Sequence, residues 1–398
     1  MGWWFGRKSA PADARPFVPA WLTCESAEEG FARSYSEQFE EVYRRNPVGQ
    51  RAVRLVAGML GGLTIDVVEG DPSTGSGQAA AALIQADGLL ESIAANLLLH
   101  GNAYVQLIAD DRDVARELCV LRPERVSVVS DERGWPVAYL YRAAGQTVRY
   151  NRKDALERQC IAHIKALHPR DDHYGMGCIE TACPAASVHN RASRWNKALL
   201  DNAARPSGAL SYEPADGSVL SPDQFQRLKD ELTSEFSGSG NAGRPLLLEG
   251  GLKWQALSLT PADMDFVALK EGAARDIALA FGVPPVLVGL PGDATYANAR
   301  EAGRALCRQT VLPMAGRILN VLGAMLGDWL GPMKLAVDTD QLSELADDRA
   351  KLWEQVGAAS FLSDAEKRDM LGFKEDAPGP HPARAAHESP SPSRGEGK

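Results

Sequence analysis

Two stretches of helical periodicity, 185–204 and 260–281, bracket a segment full of turn signals, and this arrangement constrains the fold most. Each stretch makes a helix roughly 30 Å long at ~1.5 Å per residue. A small module held between two such helices is a stalk with a tip. Within the module, Gly208 to Tyr212 reads as a strand, and Ser221-Pro222-Asp223 caps a helix running to about Phe236. Two further strands, 245–249 and 253–257, are joined by Gly250-Gly251, a hairpin signal. Thr260 is the N-cap of the second stalk helix, with Asp263 at its third position, where a carboxylate suits the dipole. That helix carries two apolar stripes: Met264, Val267, Ala274, Ala278 and Phe281, and Phe266, Leu269, Ala273, Ile277 and Ala280. A helix buried on two sides needs two neighbours. They belong either to one monomer's core or to an adjacent subunit of a ring.

Ahead of the stalk the pattern predicts a mainly antiparallel α+β domain. Pro47 opens a helix to about Met59, Leu63 to Glu69 alternates as a strand, and a helix from about Ala81 to His100 stops at Gly101. Short strands follow at 104–109, 118–121, 126–129, 137–142, 147–150 and 161–165. Beyond the stalk, Gly282 to Asn298 holds three prolines and three glycines, an irregular loop of unusual length. A long apolar helix, 299–330, then contains Pro313, which predicts a kink. A return strand at 335–337 and a helical module at 340–371 complete the ordered chain, and the Pro/Ser/Gly-rich tail from Ala377 is expected to be disordered. Residues 1–46 read as an irregular arm broken by Pro11, Pro16 and Pro19. Its Trp3, Trp4, Phe5, Phe17 and Trp21 either decorate a flexible terminus or dock on a neighbour.

Composition narrows the function. A net charge of -9 argues against a simple nucleic-acid binder. The six cysteines form no CxxC pair and read as reduced thiols of a cytosolic protein rather than a zinc site. No apolar run of signal length follows the start, and Leu89 to Ile108 contains Glu91, Asn96, His100 and Asn102, so the expectation is a soluble protein that does not enter a membrane. No G-x-x-x-x-G-K-[ST] or G-x-S-x-G is present, which excludes a P-loop motor and a hydrolase elbow. Asp171, Asp172 and His173 are the one cluster that suggests a metal-dependent nuclease, but adjacent loop residues rarely converge on one ion.

Eight segments, in order, resemble the phage portal family of the HK97 type. They are Asn46-Pro47-Val48 with the helix after it, Gly101-Asn102-Ala103-Tyr104, Leu121 to Val126, and His163-Ile164-Lys165 with Asp171 to Gly177. Then come Arg205-Pro206-Ser207-Gly208, Asn241 to Trp254, Phe281-Gly282-Val283-Pro284-Pro285 and Thr310-Val311-Leu312-Pro313. Cys178-Ile179 stands where the family usually has Ser-Pro, and the loop after Pro285 is longer than the family pattern. The Ala/Gly/Arg-rich composition suggests a phage or gene transfer agent of an alphaproteobacterium.

The resemblance implies a ring-forming α+β portal fold. The arm at 1–46 precedes a wing at 47–184, stem helices at 185–204 and 260–281, and a clip at 205–259. A tunnel loop at 282–298, a kinked wing helix and return strand at 299–339, a crown at 340–376 and the tail at 377–398 follow. It implies a homo-oligomeric ring of twelve at one capsid vertex, assembled in the bacterial cytoplasm and retained in the virion. Its implied partners are double-stranded DNA passing without sequence specificity, the terminase large subunit, the major capsid protein and a head-completion or adaptor protein. No cofactor, metal or catalytic residue is expected.

A channel must hold DNA loosely, because many phosphate contacts give tight, salt-sensitive binding. The candidate channel residues are Gly289, Gly292, Asp293, Thr295, Tyr296, Asn298 and Arg300 of the tunnel loop, and Arg191, Arg194, Lys197 and Lys270 of the stem. The same stem cations fit a merely solvated face. Tyr212, Glu213, Asp216 and Asn241 of the clip are the candidates for facing the motor or adaptor. Two other functions remain open on the residues: a head-tail adaptor or other structural virion component without a packaging role, and a metal-dependent nuclease.

Overall fold

The structure, a computed structural model, describes residues 34–69, 75–86, 88–201, 208–212, 221–227, 230, 252–256, 266–290 and 296–371. The chain divides into two compact units at Thr339/Asp340. In the first unit, Ser34 and Glu37 form a reciprocal capping box, each side chain 3.2 Å from the other's backbone nitrogen. It starts helix α1 (Tyr35–Phe39), which runs on as a π turn, Glu40–Arg44. The expected irregular arm is therefore helical at its C-terminal end, and its aromatics, from Trp3 to Trp21, lie outside the described residues. Asn46 then caps α2 (Pro47–Gly61): its Oδ1 accepts from the Val48 and Gly49 amides at 3.0 and 3.1 Å.

The expected single helix over 81–100 is two helices, α3 (Ser76–Ile84) and α4 (Leu89–His100). The break contains Gly88 at φ +73°, a left-handed conformation that helix-interior residues cannot take. The strands follow as β1 (Ile65–Glu69), β2 (Asn102–Ala109), β3 (Ala115–Leu121), β4 (Val126–Ser130), β5 (Pro136–Ala143), β6 (Gln146–Asn151) and β7 (Ile161–Lys165). They form two antiparallel three-stranded sheets, ordered β3-β2-β7 and β4-β5-β6. Tyr104, Leu121, Val126, Tyr139 and Ile161 make the core where the sheets meet.

Helix α5 (Cys178–Asp201) begins seven residues before the expected 185 and keeps Pro184 inside it. Strands β8 (Gly208–Tyr212) and β9 (Leu252–Ala256) pair antiparallel, Gly208 opposite Ala256. The expected hairpin partner, 245–249, lies outside the described residues, as do 260–265 at the expected start of the second stalk helix. Of the helix expected over 221–236, residues 222–227 are helical. Helix α6 (Phe266–Ala280) packs against α5 through small residues, Ala182, Ala186 and Ala192 with Ala273, Ala274 and Ala278, which permit close approach.

Helix α7 (Tyr296–Leu306) passes through a π turn, Cys307–Val311, into α8 (Leu312–Leu330). Pro313 thus lies in the first turn of α8 rather than in the interior of one α-helix. The wider turn, with the Leu312 amide bonded to the Cys307 carbonyl, accommodates the ring and the missing donor. Ala297–Leu330 is long and apolar enough to cross a membrane by length and composition. Here Ile318, Leu319, Leu322, Met325 and Leu326 are buried, and α8 packs on β7 and on β10 (Lys334–Val337), the partner of β1. Arg158 lies 3.8 Å over the Trp329 ring and pairs with Asp154 at 2.7 Å, which ties the end of α8 to the loop before β7.

The second unit holds α9 (Ala346–Ala358) and α10 (Asp364–Met370), the latter started by a capping box between Ser363 and Glu366. The tail from 372 lies outside the described residues. Cys119, Cys160, Cys178, Cys183 and Cys307 are free thiols, and Cys24 is outside the described set.

Candidate functional site

The antiparallel helix pair α5/α6 is rooted in the sheet domain by two polar junctions. The first is built on Asn102, fully buried at the α4–β2 corner. Its Nδ2 donates to the carbonyls of His100 (3.1 Å) and Gly175 (3.0 Å), and its Oδ1 accepts from the Gly175 amide (2.7 Å). The same Oδ1 lies 3.0 Å from Nε2 of His163, and a carboxamide oxygen only accepts, so the imidazole carries the proton there. His163 stacks on Tyr104 at 4.3 Å between ring centres, and burial pushes its pKa down to about 3, with the Lys165 charge adding to the shift. It is a neutral donor at any ordinary pH.

The backbones cross so closely here that a Cβ on Gly175 would sit 2.1 Å from the Gly101 carbonyl oxygen, and one on Gly177 2.3 Å from that of Leu99. Gly101 itself is left-handed at φ +76°. The motifs Gly101 to Tyr104, His163 to Lys165 and Asp171 to Gly177 are therefore one junction, which delivers the chain into α5 one residue later. Asp171 belongs to it: its Oδ1 accepts from the amides of His173 (2.7 Å) and Tyr174 (2.9 Å) and shapes the turn. Asp172 offers its carbonyl to Lys165 Nζ. The Asp171-Asp172-His173 cluster is a turn, and among the described residues no three His, Cys, Asp or Glu side chains gather as a metal site.

The second junction holds α5 from the other side. Asn46, buried, places Nδ2 3.0 Å from Asn190 Oδ1 and 3.2 Å from His189 Nδ1, while Asn190 Nδ2 donates to the Glu41 carbonyl at 2.8 Å. Burial lowers the His189 pKa, and the Lys270 charge on α6 lowers it further. Sequence periodicity gave no signal for this contact, which joins residues more than a hundred positions apart. The N-cap pattern at Asn46 was legible, but not the second use of its side chain.

Above these junctions the expected stem cations Arg191, Arg194 and Lys197 are exposed on α5, and Lys270 is half-buried on α6. Arg194 approaches Glu41 at 3.9 Å. At the far end of the pair Trp195 stacks on Phe266, 6.2 Å between centres.

The segment after α6 is less irregular than expected. Gly282 turns the chain at φ +65°, and its carbonyl accepts from Thr310 Oγ1 at 2.9 Å. That bond joins the Phe281–Pro285 motif to the Thr310–Pro313 motif, at the π turn. Pro285–Val288 is a 3-10 turn ended by Gly289 at φ +82°, where a Cβ would meet open space. Gly292, Asp293 and Thr295 lie outside the described residues. Tyr296 is the first residue of α7, and Asn298 and Arg300 are exposed on that helix, so the loop is shorter than the 282–298 expected from its prolines and glycines. Arg304, one turn on, pairs with Glu301 at 3.2 Å. Of the expected clip residues, Tyr212 ends β8, while Glu213, Asp216 and Asn241 lie outside the described residues.

The sequence model described as "Phage portal protein" matches residues 47–372. The portal protein of Enterobacteria phage HK97 is 25% identical over 72% of this chain and 68% of its own length. The neck of an empty gene transfer agent particle, computed with C6 symmetry, matches with a TM-score of 0.68 and 43% identity, covering 86% of this chain and 94% of that one. The neck of the native particle, computed with C12 symmetry, matches at 0.66 and 42% identity over 89% of this chain and 98% of that one.

Proposed function

The chain belongs to the phage portal protein family, and we propose that it works as one subunit of a twelvefold ring that lets duplex DNA pass during packaging and ejection. A portal is the DNA conduit at one vertex of a capsid, and the protein is a structural component of that vertex. The observation that carries the ring reading is the fold shared, nearly end to end, with a neck solved under C12 symmetry. The particle type that fits best is a gene transfer agent.

In this reading the sheet domain is the wing, and α5 with α6 is the stem. The chain between them is the clip, which meets the terminase large subunit during packaging and an adaptor protein afterwards. The segment 282–295 is the tunnel loop, and the second unit is the crown. The wing contacts the major capsid protein, and assembly takes place in the bacterial cytoplasm. The work of pumping falls to a separate motor, since the sequence has no P-loop.

Net charge supports a sleeve that repels its cargo. At -9 per subunit, a twelvefold ring carries on the order of a hundred negative charges. Arg191, Arg194, Lys197 and Lys270 on the stem, with Asn298 and Arg300 at the start of α7, then centre the duplex by touching phosphates without reading bases. Negative-stain imaging and native mass of the purified chain test the ring: closed rings are expected, and a monomer at assembly concentrations rejects it. Rings that fail to capture a terminase large subunit point instead to an adaptor without a packaging role. Shortening the loop between Gly289 and Thr295 should leave rings intact and reduce DNA retention, and full retention in that variant rejects the loop's role.

A further inference from the structure

The α5/α6 pair leaves one apolar face uncovered. Ala273, Ala274, Ile277 and Ala278 of α6 are buried within the subunit, so most of both expected stripes is satisfied by one set of neighbours. What remains outside is a third row. Leu269 is 47% exposed and Leu279 77%, and Gly272 lies between them on the same side of the helix. Beside this row, Pro184, Ala185 and Val188 of α5 complete an open groove of about 670 Å³ with a single charged residue, Asp276. Asp276 makes no ion pair among the described residues. Solvent-exposed leucines flanking a glycine across two packed helices are a surface made to receive side chains, because the glycine lowers the floor and the leucines form the walls.

We propose that this groove is one half of the subunit–subunit interface, and that its occupant is the adjacent copy of the same chain. The inference rests on the ring reading above and names the surface that makes the ring. In a closed cyclic assembly every contact is heterologous, so each subunit must present two different complementary patches. The groove meets the requirement for one of them: it is concave, apolar and continuous along the stem. The partner face must bring apolar side chains to the leucines. It must also bring a cation or hydrogen-bond donor to Asp276, since a carboxylate buried without a partner would oppose assembly. The other flank of α5 supplies candidates of the right charge in Arg191 and Arg194, exposed on the same stem. A neighbouring stem therefore offers charge complementarity that a purely apolar partner would lack.

Gly272 gives a clean test, because a Cβ built there meets nothing within 4 Å of its own subunit. Gly272→Trp should fill the groove without disturbing the monomer, and Leu279→Asp should charge one wall. The expected result is that the wild-type chain runs as a closed ring by native mass and both variants fall to monomers or open fragments. Their helical circular dichroism should stay unchanged and their assembly midpoint concentration should rise at least tenfold. Rings of wild-type mass and midpoint in Gly272→Trp would overturn the groove as the interface and leave the ring reading standing. A wild-type chain that forms no ring would overturn both. Intact rings that lose binding of an adaptor or terminase would also overturn it, by assigning the groove to a different partner.

Discussion

The root of the stem and its outer face are built on opposite terms. At the root, Asn102 has its carboxamide engaged on both sides, His163 is held neutral, and Gly101, Gly175 and Gly177 let two backbones touch where any side chain would collide. On the outer face, Arg191, Arg194 and Lys197 stand in solvent, and Gly272 has open space around it. The residue types overlap, glycine in both and polar groups in both, but the consequences differ. Rigidity at the root keeps the stem's angle fixed while force acts on the ring, whereas an uncovered outer face is what another molecule needs. The segments by which the family is recognised belong to the first kind of region. They encode the junction, not the contact with DNA.

The largest effect expected from this contrast is at Gly175. A Cβ there lies 2.1 Å from a backbone oxygen, which cannot rotate away. Gly175→Ala should cost about 4 kcal/mol or more and remove most soluble protein. A variant that purifies with the melting temperature of the parent would show that the crossing is loose and the contrast false. Asn102→Leu comes next. It strips partners from both the amide and the carbonyl of Gly175 and from the His163 ring, in a site closed to water. The expected loss is about 2–4 kcal/mol, as for buried groups left unsatisfied, measured as a shift in urea midpoint at constant slope.

The sequence showed where these residues are but not why they occur together. Local signals were read well: the Asn46 cap, the strands of both sheets, and Gly101 at the end of α4. The Ser34–Glu37 capping box was equally legible and was passed over because prolines upstream suggested an irregular arm. Pro313 was read as a defect inside an α-helix, whereas the chain inserts a π turn just ahead of it. Periodicity cannot express that, since one extra residue per turn leaves the apolar pattern nearly unchanged. The long-range polar links, Asn46 to Asn190 and Thr310 to Gly282, have no local signature at all. The same reason explains why the face of α6 left bare could not be chosen from its two apolar stripes.

The root should also reveal itself through pH. Burial lowers the His163 pKa to about 3, so between that value and the unfolded value of 6.5 the unfolded chain binds a proton that the folded chain refuses. Stability from this group is complete above pH 6.5 and falls by about 1.4 kcal/mol for each pH unit below it. His100 and His189 are shifted the same way, by burial, and steepen the loss. His163→Gln should therefore be less stable than the parent at pH 7 but lose less on acidification to pH 5. Parallel melting curves against pH for the two proteins would remove His163 as the cause.

The smallest effect on stability, and the one that bears most on function, is expected on the outer face. Replacing Arg191, Arg194 and Lys197 together by Gln removes three exposed charges and one loose approach to Glu41, at 3.9 Å. Exposed pairs of this kind contribute little, so the melting temperature should correspond to a change under about 0.5 kcal/mol. The replacements make an acidic ring more acidic. If these side chains centre the duplex, particles built with the variant should package DNA more slowly and leak it sooner as salt is raised, because the weak phosphate contacts that remain are screened first. If they are only a solvated surface, packaging and retention will match the parent at every salt concentration. That outcome would confine DNA contact to the loop and the start of α7, where Asn298 and Arg300 are the exposed polar groups.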